Sequence, residues 1–307
     1  MRAADPAIVH VRPEVREALA YGRPVVALES TIIAHGLPHP ENLALAGELE
    51  AIVRAEGAVP ATVALIGGRI RVGLDEAQLE SLATSRDVTK VSRRDMAAVL
   101  ASGGLGATTV AGTMIAARLA GIPVFATGGI GGVHRGAETS FDISADLDEL
   151  AQTQVLVVTA GAKAILDLPK TLEVLETRGV PVVGFGTDTF PAFWCRSSGL
   201  RLPLRVDSAE AVARAFDLHR RLGLPSGFVV ANPIPEADAL DRDVIERAIS
   251  AALADADAAG ISGKDVTPYL LKRIVDATSG SSLRANLGLV RNNARLAARI
   301  AMALTRL

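Results

Sequence analysis

The feature that most constrains this chain is a regular alternation of short, valine-rich apolar runs with longer segments of helical periodicity. "PVVALES" (24–30), "IPVFATGGIGG" (122–132), "QVLVVTAG" (154–161), "VPVVGFG" (180–186) and "GFVVAN" (227–232) are continuous apolar runs that end in small or polar residues. Runs without polar alternation are buried on both faces, as in parallel strands covered by helices. Between them lie "PENLALAGELEAIVRAEG" (40–57), "TTVAGTMIAARLAG" (108–121), "KTLEVLETRG" (170–179) and "SAEAVARAFDLHRRLG" (208–223), all with helical spacing. Three more helices close the chain at roughly 241–259, 267–278 and 282–305. The pattern predicts a three-layer α/β/α fold with a mainly parallel central sheet. "ATVALIGG" and "RIRVG" read as a hairpin about Gly67 and Gly68, and Asp75 as the N-cap of "DEAQLESLA". No internal repeat or linker stands out, so residues 1–307 read as a single domain.

Composition removes several function classes. Net charge is −2, aromatics are 3% and no basic tract is present, which argues against nucleic-acid binding. No apolar run is long enough to span a bilayer, and "MRAADPAIVHVRPEV" lacks a signal-peptide apolar core, so the expected location is the cytoplasm, with no membrane partner. Cys195 is the only cysteine, which excludes an intrachain disulfide and a multi-cysteine metal site. Its neighbours "AFWCRSS" supply no partner motif, so a structural or incidental role is expected.

In open α/β sheets ligands bind beyond the carboxyl ends of the strands. Here those ends carry "ESTIIAHG", "KVSRRD", "ATGGIGGVHRG", "TAGAK" and "ANPIP". Lys163 follows an apolar strand among Gly161, Ala162 and Ala164. Either it snorkels to water from a loop, or it is a nucleophile whose burial favours the neutral amine, able to form a Schiff base with a sugar carbonyl. Glu29 closes "VVALE" and reads as an N-cap, an ion-pair partner or a general acid or base in an apolar setting. His35 and His39 have the look of a metal pair, but Gly36 and Pro38 keep them off one regular helical face. "TGGIGGVHRG", with His134 and Arg135, is either an anion nest or a mobile glycine loop. "TSFDISADLDEL" places Asp142, Asp146 and Asp148 with Ser144, suited to Mg²⁺ or Mn²⁺ or to helix capping. Lys90 in "TKVSRRD" suits a phosphate, and Asn286 sits inside an amphipathic helix where its amide can read a base edge or a sugar hydroxyl.

Taken together and in order, "ALESTIIAHGLPHPEN", "KVSRRD", "FATGGIGGVHRG", "FDISADL", "AGAKAILDLPKTLE", "ANPIPE" and "LRANLGLVRNNARLAA" resemble the pseudouridine-5′-phosphate glycosidases, also called indigoidine synthase A-like proteins. The resemblance runs from about residue 10 to the C-terminus. It implies an enzyme that reversibly splits pseudouridine 5′-phosphate into uracil and ribose 5-phosphate. It implies one divalent ion per subunit, Mn²⁺ with Mg²⁺ as the alternative, and a homotrimer. By motif it implies that Glu29 is the proton donor, Lys163 the covalent nucleophile and Asp142 the metal ligand. It places Lys90, Val110, Ser144, Ala145 and Asp146 as substrate contacts, and Thr109, Thr127, His134 and Asn286 in segments that line the site. Asp146 is also a candidate for moving protons or holding a sugar hydroxyl. Some relatives are fused to a sugar kinase, an activity not expected of a chain ending at Leu307.

This chemistry would need an unusual site. Ordinary glycosidases protonate a leaving heteroatom and use two carboxylates. A base attached through carbon offers no such atom, and a covalent lysine route avoids a carbanion leaving group. The main rival is a Schiff-base aldolase or lyase acting on another phosphorylated sugar, which shares the lysine and the phosphate site.

Overall fold

A computed structural model describes residues 5–261 and 266–307. Its centre is an 11-stranded sheet. The main path runs Val9–Val11, Arg69–Val72, Val59–Ile66, Val25–Leu28, Val124–Ala126, Leu156–Thr159, Phe228–Ala231, Val182–Phe185 and Leu204–Val206. Neighbours from Val59–Ile66 onward along this path are parallel. The hairpin about Gly67 and Gly68 is antiparallel, pairing Val63 with Val72 and Ile66 with Arg69. Leu105–Thr108 also pairs antiparallel with Val59–Ile66 and carries Val88–Val91 beside it in parallel.

The apolar runs become strands buried on both faces, as their lack of alternation requires. Every residue of Val25–Leu28, Leu156–Thr159 and Phe228–Ala231 is buried. The helix Ser281–Leu304 packs across the first of these, Val124–Ala126 and Leu156–Thr159, between the helices Glu41–Ala55 and Ala209–Arg221. Its buried residues include Ala285, Gly288, Ala294, Ala297, Ala298 and Ala301, so the backbone approaches the sheet closely. The helix Val110–Ala120 packs against the hairpin side of the sheet and against the helix Ala145–Gln152. This is the expected three-layer arrangement.

Caps set several helix starts. Asp75 forms a full capping box with Gln78, and Thr109, Ser144, Asp167 and Ser208 each accept a backbone N–H at a helix start. The structure corrects some boundaries. The predicted helix over 108–121 begins at Val110, because Thr109 is its cap and residues 105–108 form a strand. Val9–Val11, Leu204–Val206 and the two-residue pair Val133–His134 with Leu166–Asp167 were not legible, being too short to show a period.

Chain order reverses at Val25–Leu28. From this strand the chain goes first to Val59–Ile66 on one side and later to Val124–Ala126 on the other. Such a switch point opens a crevice at the carboxyl ends of the two diverging strands. Glu29 and Thr127 are the residues at those two ends.

Candidate active site

Thr127 donates a short hydrogen bond from its hydroxyl to Glu29 Oε1, joining the two strand ends across the crevice. Burial pushes the Glu29 carboxyl above the usual range, against the pull of the Lys163 ammonium and the Thr127 hydroxyl. Asp146 adds a smaller upward push and Lys90 a smaller downward one.

Lys163 lies on a loop stitched to the glycine stretch. Lys163 N–H donates to Ile130 O (3.1 Å), and Ile130 N–H donates to Gly161 O (3.1 Å). Further along, Leu166 and Asp167 pair antiparallel with His134 and Val133. The nucleophile candidate therefore stands on backbone fixed from both sides.

Asp146 is buried, and its two oxygens accept from separate backbone segments. Ala111 N–H, in the first turn of the helix Val110–Ala120, reaches Oδ1 at 2.9 Å, and Gly131 N–H reaches Oδ2 at 2.8 Å. Gly131 has to be glycine: a Cβ there would stand 2.7 Å from Asp146 Oδ2 and closer still to Ser144 Oγ. Ser144 caps its helix by accepting from Asp146 N–H at 3.3 Å. Asp142 lies outside that helix, so Asp142 and Asp146 do not share a helical face.

Two cavities meet at Glu29, Thr31, Lys90 and Lys163. The first, of about 490 Å³, is lined mainly by polar and charged residues, among them Thr109, His134, Asp142, Ser144 and Asp146, with Val110 and Ala145 beside them. The second, of about 300 Å³, is mostly apolar and is lined by Phe193, Trp194, Leu283, Val290 and Asn286 among others. The expected site residues thus gather round one junction, with Thr127 reached through Glu29 and Asn286 on the apolar side. Trp194 and Asn286 are among the residues lining the second cavity, and their buried Nε1 and Oδ1 atoms have no hydrogen-bond partner among the described residues.

Asp142 is partly exposed to the first cavity, with His134 Nδ1 at 3.8 Å from its Oδ2. Burial lowers the His134 pKa against the opposing pull of Asp142, and Lys163 and Lys90 lower it further, so a neutral imidazole is favoured. Among the described residues no three His, Cys, Asp or Glu side chains form a metal-binding group. One accessible carboxylate in a roomy polar cavity fits a hard ion such as Mn²⁺ or Mg²⁺, which keeps most of its water. It does not fit a dehydrated zinc-type site.

Other sequence candidates take structural places. Arg93 forms a two-pronged pair with the fully buried Glu149 (2.7 and 2.8 Å), fastening the "KVSRRD" turn to the helix Ala145–Gln152. Burial raises the Cys195 thiol to about 11, which suits an inert side chain. His35 lies at the end of the short helix Thr31–His35, and His39 is beyond it. Sequence reasoning missed Trp194, Asn232 and Asn293. All three lie in quoted segments, but a single side chain in a sequence does not reveal its partner.

The fold and the site define an α/β/α protein with an amine and a desolvated acid at the switch point, between a polar and an apolar chamber. The chain belongs to the indigoidine synthase A-like family, whose model matches residues 14–303. It is 62% identical to the pseudouridine-5′-phosphate glycosidase of Paracoccus denitrificans, over 97% of this chain and 99% of that one. It is 58% identical to the protein of that name from Caldanaerobacter subterraneus subsp. tengcongensis, over 97% of both. Among solved structures, the prealnumycin C-glycosynthase AlnA, in complex with ribulose 5-phosphate, superposes with a TM-score of 0.91 at 43% identity over 97% of each chain. An indigoidine synthase A-like protein from Thermotoga maritima gives 0.89 at 37% identity, again over 97% of each.

Proposed function

We propose that this protein is a pseudouridine-5′-phosphate glycosidase that cleaves the carbon–carbon glycosidic bond through a Schiff base on Lys163. The observation that carries the reading is the junction itself. An amine and an acid whose pKa burial raises meet between a chamber lined mainly by polar and charged residues, suited to a sugar phosphate, and an apolar chamber suited to a base. The full-length likeness to relatives bearing that name agrees with it.

In this reading Lys163 Nζ attacks the anomeric carbon as the ring oxygen leaves and takes a proton from Glu29. Nζ sheds one proton on forming the new bond, and delivery of a proton to the uracil carbon then breaks the carbon–carbon bond. The nitrogen lone pair fills the deficiency at the sugar carbon, giving an iminium that water hydrolyses to ribose 5-phosphate and free Lys163. Lys90, with the backbone about Thr109 and Val110, faces the phosphate, while Ser144, Ala145 and Asp146 hold the sugar. His134 borders the same chamber, and Asn286 faces the base. Asp142 would hold the divalent ion, proposed as Mn²⁺ with Mg²⁺ as the alternative, which supplies charge neutralisation beside the phosphate. The protein is further proposed to act in the cytoplasm as a homotrimer. No helix among the described residues is long and apolar enough to cross a membrane.

The test is mass spectrometry after mixing the protein with pseudouridine 5′-phosphate, Mn²⁺ and borohydride, with Lys163→Ala treated alike. A ribose-phosphate adduct on Lys163, with free uracil and no turnover by the variant, is the expected result. Free uracil from Lys163→Ala at most of the wild-type rate would remove the covalent route. Aldehyde release without uracil from other sugar phosphates would point to an aldolase.

A further inference from the structure

One backbone carbonyl collects two side-chain hydroxyls beside the acid. The strand Val59–Ile66 changes partner along its length: residues 59–62 pair in parallel with 25–28, and residues 64–66 pair antiparallel with 105–107. Val63 lies between the two pairings. In the antiparallel register, which sets Ala64 opposite Ala107, the next rung would join Val63 to Thr108. A side chain opens that rung. Thr108 N–H donates to Ser30 Oγ at 2.9 Å, and the Ser30 hydroxyl donates to Val63 O at 2.6 Å. The Thr108 hydroxyl donates to the same carbonyl at 3.0 Å and accepts from the Thr113 hydroxyl at 2.8 Å.

Ser30, Thr108 and Thr113 are fully buried, so no water can replace a lost bond without disturbing the packing. The arms of this cluster lead to the site. Ser30 follows Glu29, and Thr31, which lines both chambers, donates from its hydroxyl to Thr108 O at 2.8 Å. Thr108 precedes Thr109, the cap of the helix Val110–Ala120, and Thr109 N–H donates to Val91 O (2.9 Å), next to Lys90. Gly112 lets this helix close on the corner: a Cβ there would meet Val91 O at 2.7 Å and Thr108 Cβ at 3.3 Å. Ser30 and Thr108 line neither chamber, so whatever they do for the reaction they do through their neighbours.

We propose that Ser30 and Thr108 are positioning residues. Their hydroxyls on Val63 O fix Glu29 relative to the phosphate-facing turn at Thr109 and Val110, so that holding the phosphate aligns the anomeric carbon with Glu29 and Lys163. The proposal rests on the glycosidase reading and adds to it the device that couples phosphate binding to the chemical step. Binding energy from a remote group, when spent on alignment, appears in kcat rather than in KM.

The experiment compares wild type, Thr108→Val, Thr108→Ser and Ser30→Ala on pseudouridine 5′-phosphate, with inorganic phosphate as a competitive inhibitor. Circular dichroism establishes that each variant is folded at the assay temperature. Valine keeps the shape of threonine and the backbone bonds, and loses the hydroxyl. For Thr108→Val the expected result is a kcat lowered on the order of 10²-fold, the effect of a misplacement of about 1 Å. The KM and the Ki for phosphate should stay within about threefold of wild type, and Thr108→Ser should recover kcat to within about threefold. A folded Thr108→Val with kcat within about threefold of wild type overturns the proposal. So does a Ki for phosphate that rises in step with the loss of kcat, because the hydroxyl would then support the phosphate site alone. If Thr108→Val does not fold, Ser30→Ala is judged by the same readouts. Failure of both to fold overturns the assignment, since the hydroxyls would then serve the fold only. A wild type that releases no uracil would refute the glycosidase reading, whereas an active wild type with an unimpaired Thr108→Val refutes this inference and leaves that reading standing.

Discussion

A carboxyl pushed up by burial costs stability whenever it must ionise. Glu29 is such a group. Because its folded-state pKa is raised, its contribution favours folding below the unfolded glutamate value and is lost as pH rises through the folded one. Glu29→Gln keeps an acceptor for the Thr127 hydroxyl and cannot ionise. It should melt above wild type at neutral pH, with the difference closing as pH falls below the ordinary glutamate range. Its turnover should collapse, on the order of 10²-fold or more, as expected for a lost proton donor. Calorimetry across pH and kinetics on the same samples check both signs, and wild-type rates would free Glu29 from proton transfer. Asp142→Ala should weaken the dependence on Mn²⁺ by at least tenfold while leaving the melting curve of the metal-free protein nearly unchanged. An unaltered metal titration would place the ligand elsewhere.

At the scale of elements, the strand ends are braced by two buried asparagines. Asn232 Nδ2 donates to Asn293 Oδ1 (2.9 Å), and Asn293 Nδ2 donates to Thr127 O (2.8 Å). Asn232 follows the strand Phe228–Ala231, and Asn293 comes from the helix Ser281–Leu304. The chain of bonds therefore runs from a strand two places along the sheet from Val124–Ala126, through the covering helix, to the residue that holds Glu29. Asn293→Ala should cost about 1–3 kcal/mol of stability. It should also lower kcat by on the order of 10²-fold with little change in KM, since the acid is displaced and the binding surfaces are not. Denaturation and steady-state kinetics on Asn293→Ala and Asn232→Ala measure this. A folded Asn293→Ala with full kcat would show that the strand ends hold their geometry without the brace.

For the whole molecule, the sheet brings the site together from segments far apart in sequence, and loops on its carboxyl edge border both chambers, with the helices Val266–Ala277 and Ser281–Leu304 lining the apolar one. The loop bearing Asp142 also carries exposed apolar side chains, Phe141 at 82% and Ile143 at 40% exposure. A trimer in solution is expected, and light scattering should report three times the 31.8 kDa chain mass. A monomer at micromolar concentration, active on pseudouridine 5′-phosphate, would detach the assembly from the function.

The sequence by itself determined the layer architecture and the set of candidate residues. Burial on both faces leaves its mark as unbroken apolar runs such as "VLVV", and helix caps leave theirs as single residues such as Asp75 and Ser208. Ordered motifs marked Glu29, Asp142, Asp146 and Lys163 before their neighbours were visible. The tertiary structure decided which side chains meet. Asp142 and Asp146 are close in sequence, yet one lies partly exposed beside His134 and the other is buried under two backbone donors. Arg93, half exposed, pairs with the buried Glu149 from a distant helix. Trp194 and Asn293 carry no local signal, because an orphaned donor or a brace exists only relative to atoms brought near from elsewhere in the chain. Local propensity acts within a few residues, whereas the electrostatics of this site arise where strand ends from distant parts of the chain converge.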